Sequence, residues 1–145
     1  MQVEVKLNIN QQEFFDYLIQ SLLIDIYKNT EVFQLKEDIH KGFQYKKRIK
    51  DNKGKEYDSL VEIQELEEPI LYQSQVTTGS NHHILRIECC EENQQVIVTY
   101  HEKVISNKLL RQWNYVLVSS ILSRFYKKQI KKMLMNMELH IQRSK

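Results

Sequence analysis

Residues 71–105 have the sequence LYQSQVTTGSNHHILRIECCEENQQVIVTYHEKVI, and this stretch decides the fold. It contains three segments in which apolar and polar side chains alternate, the period of β-strands with one buried face. Only a few turn-forming residues separate the segments, too few for the crossover that parallel strands need. The stretch is therefore predicted to be an antiparallel meander, with strands at residues 71–78, 82–90 and 96–105.

The same period of two continues toward the N-terminus. Alternating segments lie at residues 43–49 and 55–66, and Asp51-Asn-Lys-Gly54 between them suits a hairpin turn. A further strand is predicted over residues 3–9, where valine, leucine and isoleucine alternate with polar residues. The sheet is therefore expected to have about six antiparallel strands.

Two helical regions complete the predicted α+β fold. Asn10 stands three residues before Glu13, as in a capping box, and apolar residues at helical spacing predict a helix over about residues 11–27. A short second helical piece is allowed between residues 28 and 41. From residue 107 to about residue 142 no Gly or Pro interrupts a run of good helix formers, which predicts one long C-terminal helix.

The predicted C-terminal helix carries two apolar stripes. The stripe in its first half consists of Leu110, Trp113, Leu117 and Ile121, and the stripe along most of its length of Tyr115, Leu122, Tyr126, Met133, Met137 and Ile141. One stripe is expected to cover the sheet. The other would meet the N-terminal helix, a dimer partner or a ligand.

Composition and charge indicate one cytoplasmic domain over residues 1–145. A chain with 41% hydrophobic and 28% charged residues can bury a core at this length. Its 21 Lys and Arg against 19 Asp and Glu give a net charge of only +2, which disfavours a nucleic-acid partner. The first residues lack the basic region and apolar run of a signal peptide, and the neighbouring Cys89 and Cys90 suit a reducing compartment.

The order of strand, helical pair, meander and long helix resembles the helix-grip fold of the START-like (SRPBCC) superfamily. The segments Val3-Glu-Val-Lys-Leu-Asn-Ile-Asn10, Glu13-Phe-Phe-Asp-Tyr17 and Gly42-Phe-Gln-Tyr45 are also similar to an uncharacterised bacterial domain-of-unknown-function family of that superfamily. The resemblance implies a curved sheet wrapped on the C-terminal helix, with an apolar cavity between them. It carries over no catalytic motif, and folds of this kind host unrelated activities.

Aromatic and polar residues at strand parity are candidates for the lining of such a cavity, because ligand sites combine apolar walls with a few placed polar groups. The candidates are Phe43, Tyr45, Tyr57, Ser59, Tyr72, Ser74, Tyr100 and Glu102 from the strands and Trp113 and Tyr126 from the C-terminal helix. The alternative is that tyrosines are simply good strand formers whose hydroxyls reach water or backbone. Lys47 and Glu102 share apolar parity, and inward charges that protect a sheet edge have the same pattern.

Neither a metal nor a cofactor is expected. The residues that could bind a soft metal are His82, His83, Cys89, Cys90 and His101, and they lack the spacing that zinc sites use. The three glycines are isolated in turns, which excludes a Gly-rich phosphate loop.

A basic face is predicted on the second half of the C-terminal helix. It consists of Arg124, Lys127, Lys128, Lys131 and Lys132, and residues 124–145 contain seven Lys and Arg but one acid, a net charge of 7 − 1 = +6. Such a helix can meet anionic lipid headgroups, RNA or an acidic partner. The alternative is a solvated face whose cations favour the helix C-terminal dipole.

These features leave several functions open, with a non-enzymatic domain that binds a small hydrophobic or amphipathic ligand in the lead. A protein-interaction module with a filled core is the second hypothesis, with a homodimer through the Leu110 to Ile121 stripe. The third is an enzyme that uses Glu102 or a tyrosine for acid–base chemistry on a hydrophobic substrate. Contact with a membrane surface through the basic face is the fourth.

Overall fold

The computed structural model describes residues 1–50, 54–106 and 127–145, and its elements follow the predicted order. The elements are β1 (Gln2–Leu7), α1 (Gln11–Thr30), a 3-10 turn (Lys36–Asp38), β2 (Gln44–Lys50), β3 (Glu56–Glu67), β4 (Leu71–Thr78), β5 (Asn81–Glu92) and β6 (Gln95–Ser106). Residues 127–143 are helical and are called the terminal helix below.

The strands of the described residues form one antiparallel sheet in the order β1-β6-β5-β4-β3-β2, so β1 and β2 are its edges. The predicted meander is confirmed. The strands β5 and β6 are longer than predicted, because Asn93 and Gln94 alone make the turn, with φ of 53° and 67°. Two successive left-handed residues give the turn whose twist matches that of the flanking strands.

A bulge in β3 helps to curve the sheet. The register between β3 and β4 shifts between Ile63 and Glu65, which leaves Gln64 as an extra residue. A bulge of this kind bends its strand and increases the local twist. The predicted curved antiparallel sheet is confirmed.

The helix α1 begins at the predicted capping box. The Asn10 side chain accepts a hydrogen bond of 2.8 Å from the Glu13 backbone N–H, and the Glu13 carboxylate accepts one of 3.2 Å from the Asn10 N–H. These bonds satisfy donors that the first turn of a helix leaves unpaired. The buried face of α1 consists of Phe14, Phe15, Ile19, Leu22 and Ile26, and the helix continues to Thr30, three residues beyond the prediction.

The core lies between one face of the sheet, α1 and the terminal helix. The terminal helix contributes Ile130, Leu134 and Ile141, all buried, to the same cluster as the buried residues of α1 and the sheet. Residues 107–126 lie outside the described residues. The predictions for Trp113, Tyr115, Arg124 and Tyr126, and for the stripe from Leu110 to Ile121, therefore stay predictions.

Candidate functional site

The candidate site is the face of the sheet that packs toward the helices, called the inward face below. Directly opposed residues of antiparallel strands share a face. Tyr45 lies opposite Val61, Val61 opposite Val76, Val76 opposite His83, and His83 opposite Val104, so this row crosses five strands on one face. The buried residues Val61 and Tyr45 identify that face as inward.

Within each strand, the candidate lining residues are an even number of positions from the member of this row. All of them therefore lie on the inward face. Of these, Tyr45, Ser59, Tyr72, Ser74 and Tyr100 are buried, with 4–7% of each residue exposed. Tyr57 has the same parity but is 38% exposed near the end of β3. Phe43, just before β2, is half-buried, and its ring lies 6.4 Å from that of Tyr45 and 6.2 Å from that of His40. The structure therefore brings these candidates onto one surface.

Apolar side chains make up the floor of the inward face. They include Val61, Ile63, Val76, Leu85 and Ile87 from β3, β4 and β5, which are buried or half-buried. Polar groups interrupt this floor in three places. A surface of this composition can hold an apolar body and orient it by a few hydrogen bonds.

The first polar group joins α1 to the edge strand β2. The Asp25 carboxylate accepts a hydrogen bond of 2.6 Å from the Tyr45 hydroxyl and two of 3.0 Å from Lys47 Nζ. Burial, and then the hydrogen bond to Asp25, raise the pKa of the Tyr45 hydroxyl, so it remains a protonated donor. Lys47 thus has a partner on the inward side of an edge strand.

The second polar group lies at the centre of the inward face. Burial raises the pKa of the Tyr72 hydroxyl, although a hydrogen bond with Ser74 acts in the opposite direction. The Ser59 hydroxyl donates a bond of 2.8 Å to the Lys47 carbonyl across the β2–β3 pair. These hydroxyls are therefore satisfied within the sheet, as buried polar groups usually are.

The third polar group surrounds the Glu102 carboxylate of β6. The Glu102 side chain is 11% exposed, and its Oε1 atom contacts Nε2 of His83. That nitrogen is buried, although the His83 ring as a whole is 43% exposed. The Tyr100 hydroxyl donates a bond of 3.4 Å to Glu102 Oε2. A carboxylate, an imidazole and a phenol therefore meet on the inward face.

Sequence reasoning missed Asp25 and His83 as members of the site. Asp25 immediately precedes the buried Ile26, and a carboxylate beside the apolar stripe of a helix was a usable signal. His83 shares the parity of Leu85, Ile87 and Cys89, which also indicated an inward position. The residues weighed as soft-metal ligands lie on both faces of the sheet. Residues 1–50, 54–106 and 127–145 contain no cluster of three or more His, Cys, Asp or Glu side chains that could hold a metal ion.

An open groove lies between the terminal helix and α1. It has a volume of about 600 Å³, and the centroids of the Tyr17 and His140 rings lie 5.3 Å apart there, with the rings tilted by 60°. Met133 and Met137 line the same groove. It is separate from the inward face of the sheet, and the sequence patterns did not predict it.

The described members of the basic face, Lys127, Lys128, Lys131 and Lys132, are all exposed on the terminal helix. Among the helices of the described residues, none is long and apolar enough to cross a bilayer.

Destabilisation at high pH is expected from the buried hydroxyls and thiol. Burial, with a smaller effect of Cys90, raises the pKa of the Cys89 thiol from 9.0 to about 12, and the pKa values of Tyr45 and Tyr72 also rise above 10.0. The unfolded chain therefore loses these protons first, and stability is complete only below about pH 9. Above that pH, each proton lost only by the unfolded chain lowers the free energy of unfolding by about 1.4 kcal/mol per pH unit.

Urea titrations between about pH 8 and about pH 11 measure this slope. Tyr45→Phe should reduce the slope by up to one proton. A free energy of unfolding that stays constant over this range would contradict the placement of these groups.

The sheet order, the helix after the first strand and the inward face together define a START-like, helix-grip domain. The chain belongs to the family described as Domain of unknown function (DUF3284), which it matches over residues 1–123. The predicted helix-grip fold and the predicted likeness to a family of unknown function are thus confirmed. No curated protein matches the chain in sequence.

Solved structures support the fold alone, since their sequences are distant. An uncharacterised protein from Rhizobium leguminosarum is 13% identical, with 99% of this chain and 93% of that chain covered and a TM-score of 0.61. Protein NE0264 from Nitrosomonas europaea is 9% identical, with coverage of 100% and 95% and a TM-score of 0.60. Ara h 8.0201 is also 9% identical, with coverage of 97% and 95% and a TM-score of 0.59.

Proposed function

We propose that residues 1–145 form one cytoplasmic binding domain that holds a small hydrophobic or amphipathic molecule against the inward face of the sheet. The observation that carries the proposal is the Glu102 carboxylate, 11% exposed, beside His83 and Tyr100 on a surface whose floor is apolar. An ionised group is costly to bury, and a core built only for stability gains little from one. A ligand with a polar end could form a hydrogen bond with this carboxylate. The free thiols of Cys89 and Cys90 support a reducing compartment.

The ligand would lie with its polar end at Glu102 and its apolar body along the floor of the inward face. The opposed pairs Glu102–Leu85 and Leu85–Ser74 continue from the carboxylate into that floor. Carboxylate oxygens accept hydrogen bonds, so the best ligand has a hydroxyl or amine donor at its polar end.

Glu102→Gln is expected to weaken binding of a long-chain alcohol by about ten-fold, because a hydrogen bond to a charged group is worth about 1.5–3 kcal/mol. The measurement is displacement of Nile red, a neutral apolar dye, by 1-dodecanol. The matched control is Glu4→Gln, the same chemical change on the exposed, opposite face of β1. Circular dichroism checks that both variants fold.

The control variant should bind the dye and the alcohol as the unaltered protein does. The proposal would be refuted if the protein did not raise the fluorescence of Nile red and 1-dodecanol displaced no bound dye. Equal losses in the two glutamine variants would also refute it.

A second candidate function is acid–base catalysis on the bound molecule, and the contact between Glu102 and His83 favours it. The two side chains could pass a proton to and from a substrate at the polar end of the site. Mass spectrometry of a bound molecule before and after incubation tests this candidate. A molecule that is converted by the unaltered protein and not by Glu102→Gln would support the enzyme.

A further inference from the structure

The solvent-facing side of the terminal helix combines cations with exposed apolar side chains. At about 100° per residue, Lys128, Lys131, Lys132, Met135 and Leu139 fall within roughly 100° of arc. These five residues are called the docking face below. Met135 is 56% exposed and Leu139 is 48% exposed, while Leu134 and Ile141 of the same helix are buried. The face is therefore separate from the side of the helix that packs in the core.

The lysines of the docking face are without carboxylate partners among residues 1–50, 54–106 and 127–145. Residues 107–126 contain no Asp or Glu at all. Glu138, the one acid of the terminal helix, accepts a hydrogen bond of 3.0 Å from the Asn8 N–H instead. The positive charge of the docking face is therefore not neutralised by the described parts of the chain.

The spacing of the lysines lowers the stability of the terminal helix. Lys128 and Lys132 stand four residues apart, as do Lys127 and Lys131, and like charges at this spacing destabilise a helix. Helices that face only water commonly alternate the sign of charge at this spacing. An external anionic surface would turn this repulsion into attraction.

The exposed Met135 and Leu139 distinguish between anionic partners. A polynucleotide offers phosphates to the lysines but no apolar medium for these two side chains. The surface of an anionic bilayer offers both, because headgroup phosphates lie directly above the boundary of the acyl chains. Helices that lie in that interface combine apolar side chains with Lys and Arg, whose long stems let the charged ends reach the headgroups.

We propose that the docking face binds the surface of an anionic phospholipid bilayer, with the lysines on headgroup phosphates and Met135 and Leu139 at the acyl boundary. This proposal is independent of the ligand proposed for the inward face. It concerns reversible attachment, since three lysines and two apolar side chains provide far less affinity than a membrane-spanning helix.

Sedimentation with vesicles tests the proposal. The intact chain should bind vesicles of equimolar phosphatidylglycerol and phosphatidylcholine, and added salt should weaken the binding. Each lysine near an anionic surface contributes a factor of about five in affinity. The Lys128→Gln, Lys131→Gln, Lys132→Gln triple variant should therefore bind about 100-fold more weakly.

Two further variants separate the docking face from simple net charge. Lys28→Gln, Lys46→Gln and Lys103→Gln together remove the same charge from exposed lysines on α1, β2 and β6, and this triple variant should retain most of the binding. Met135→Ser with Leu139→Ser keeps every charge and should weaken binding at least several-fold. Three outcomes would each overturn the proposal. They are equal losses of binding in the two lysine variants, unchanged binding of the serine variant, and binding to pure phosphatidylcholine that equals binding to the anionic vesicles.

Discussion

Leu134→Ala is expected to lower the free energy of unfolding by about 3 kcal/mol, within the range of about 2–5 kcal/mol found for leucines truncated in cores. Leu134 is fully buried in the cluster that joins the terminal helix to α1 and the sheet. Its truncation removes apolar burial and leaves a cavity that the surrounding side chains fill only in part. Urea unfolding followed by circular dichroism measures the loss.

Leu139→Ala is the matched control, since the same change falls on the same helix at a residue that is 48% exposed. It should change the free energy of unfolding by less than about 0.5 kcal/mol. Equal effects of the two substitutions would show that the terminal helix does not pack as described.

Asp25→Ala is expected to cost about 2 kcal/mol and to loosen the edge strand β2. The substitution leaves the buried Tyr45 hydroxyl without the acceptor to which it donates at 2.6 Å, and an unsatisfied buried donor costs about 1–3 kcal/mol. The loss of the partner of Lys47 adds little, because that side chain is 33% exposed. Urea unfolding measures the cost, and hydrogen exchange of the β2 amides measures the loosening.

Asp25→Asn keeps an oxygen acceptor and should lose roughly half as much stability, while Asp16→Ala, an exposed acid on the same helix, should lose almost none. If Asp25→Ala left both stability and the exchange of β2 unchanged, Asp25 would not join α1 to the sheet.

Strands and helix starts could be predicted from the sequence because their causes are local. The alternation in residues 71–105 reflects which side chains face the core, and that period is visible in any strand with one buried face. The capping box of Asn10 and Glu13 likewise involves residues only three positions apart. Those features were predicted and are confirmed.

The bulge and the polar partners could not be predicted, because they depend on distant residues. Gln64 disrupts the pairing with β4, so Ile63 and Leu66 share a face although their parity differs. Asp25 meets Tyr45 and Lys47 across 20 and 22 positions, and His83 meets Glu102 across two strands. Parity placed Glu102 on the inward face but could not identify its partner.

Native mass spectrometry of the purified chain tests most directly whether the inward face holds a small apolar or amphipathic molecule. We expect a chain that carries one small molecule, which solvent extraction releases and identifies as an apolar body with a hydroxyl or amine group. A chain that is empty as purified and stays empty with long-chain alcohols and amines would contradict the claim. An empty dimer would favour the protein-interaction module instead.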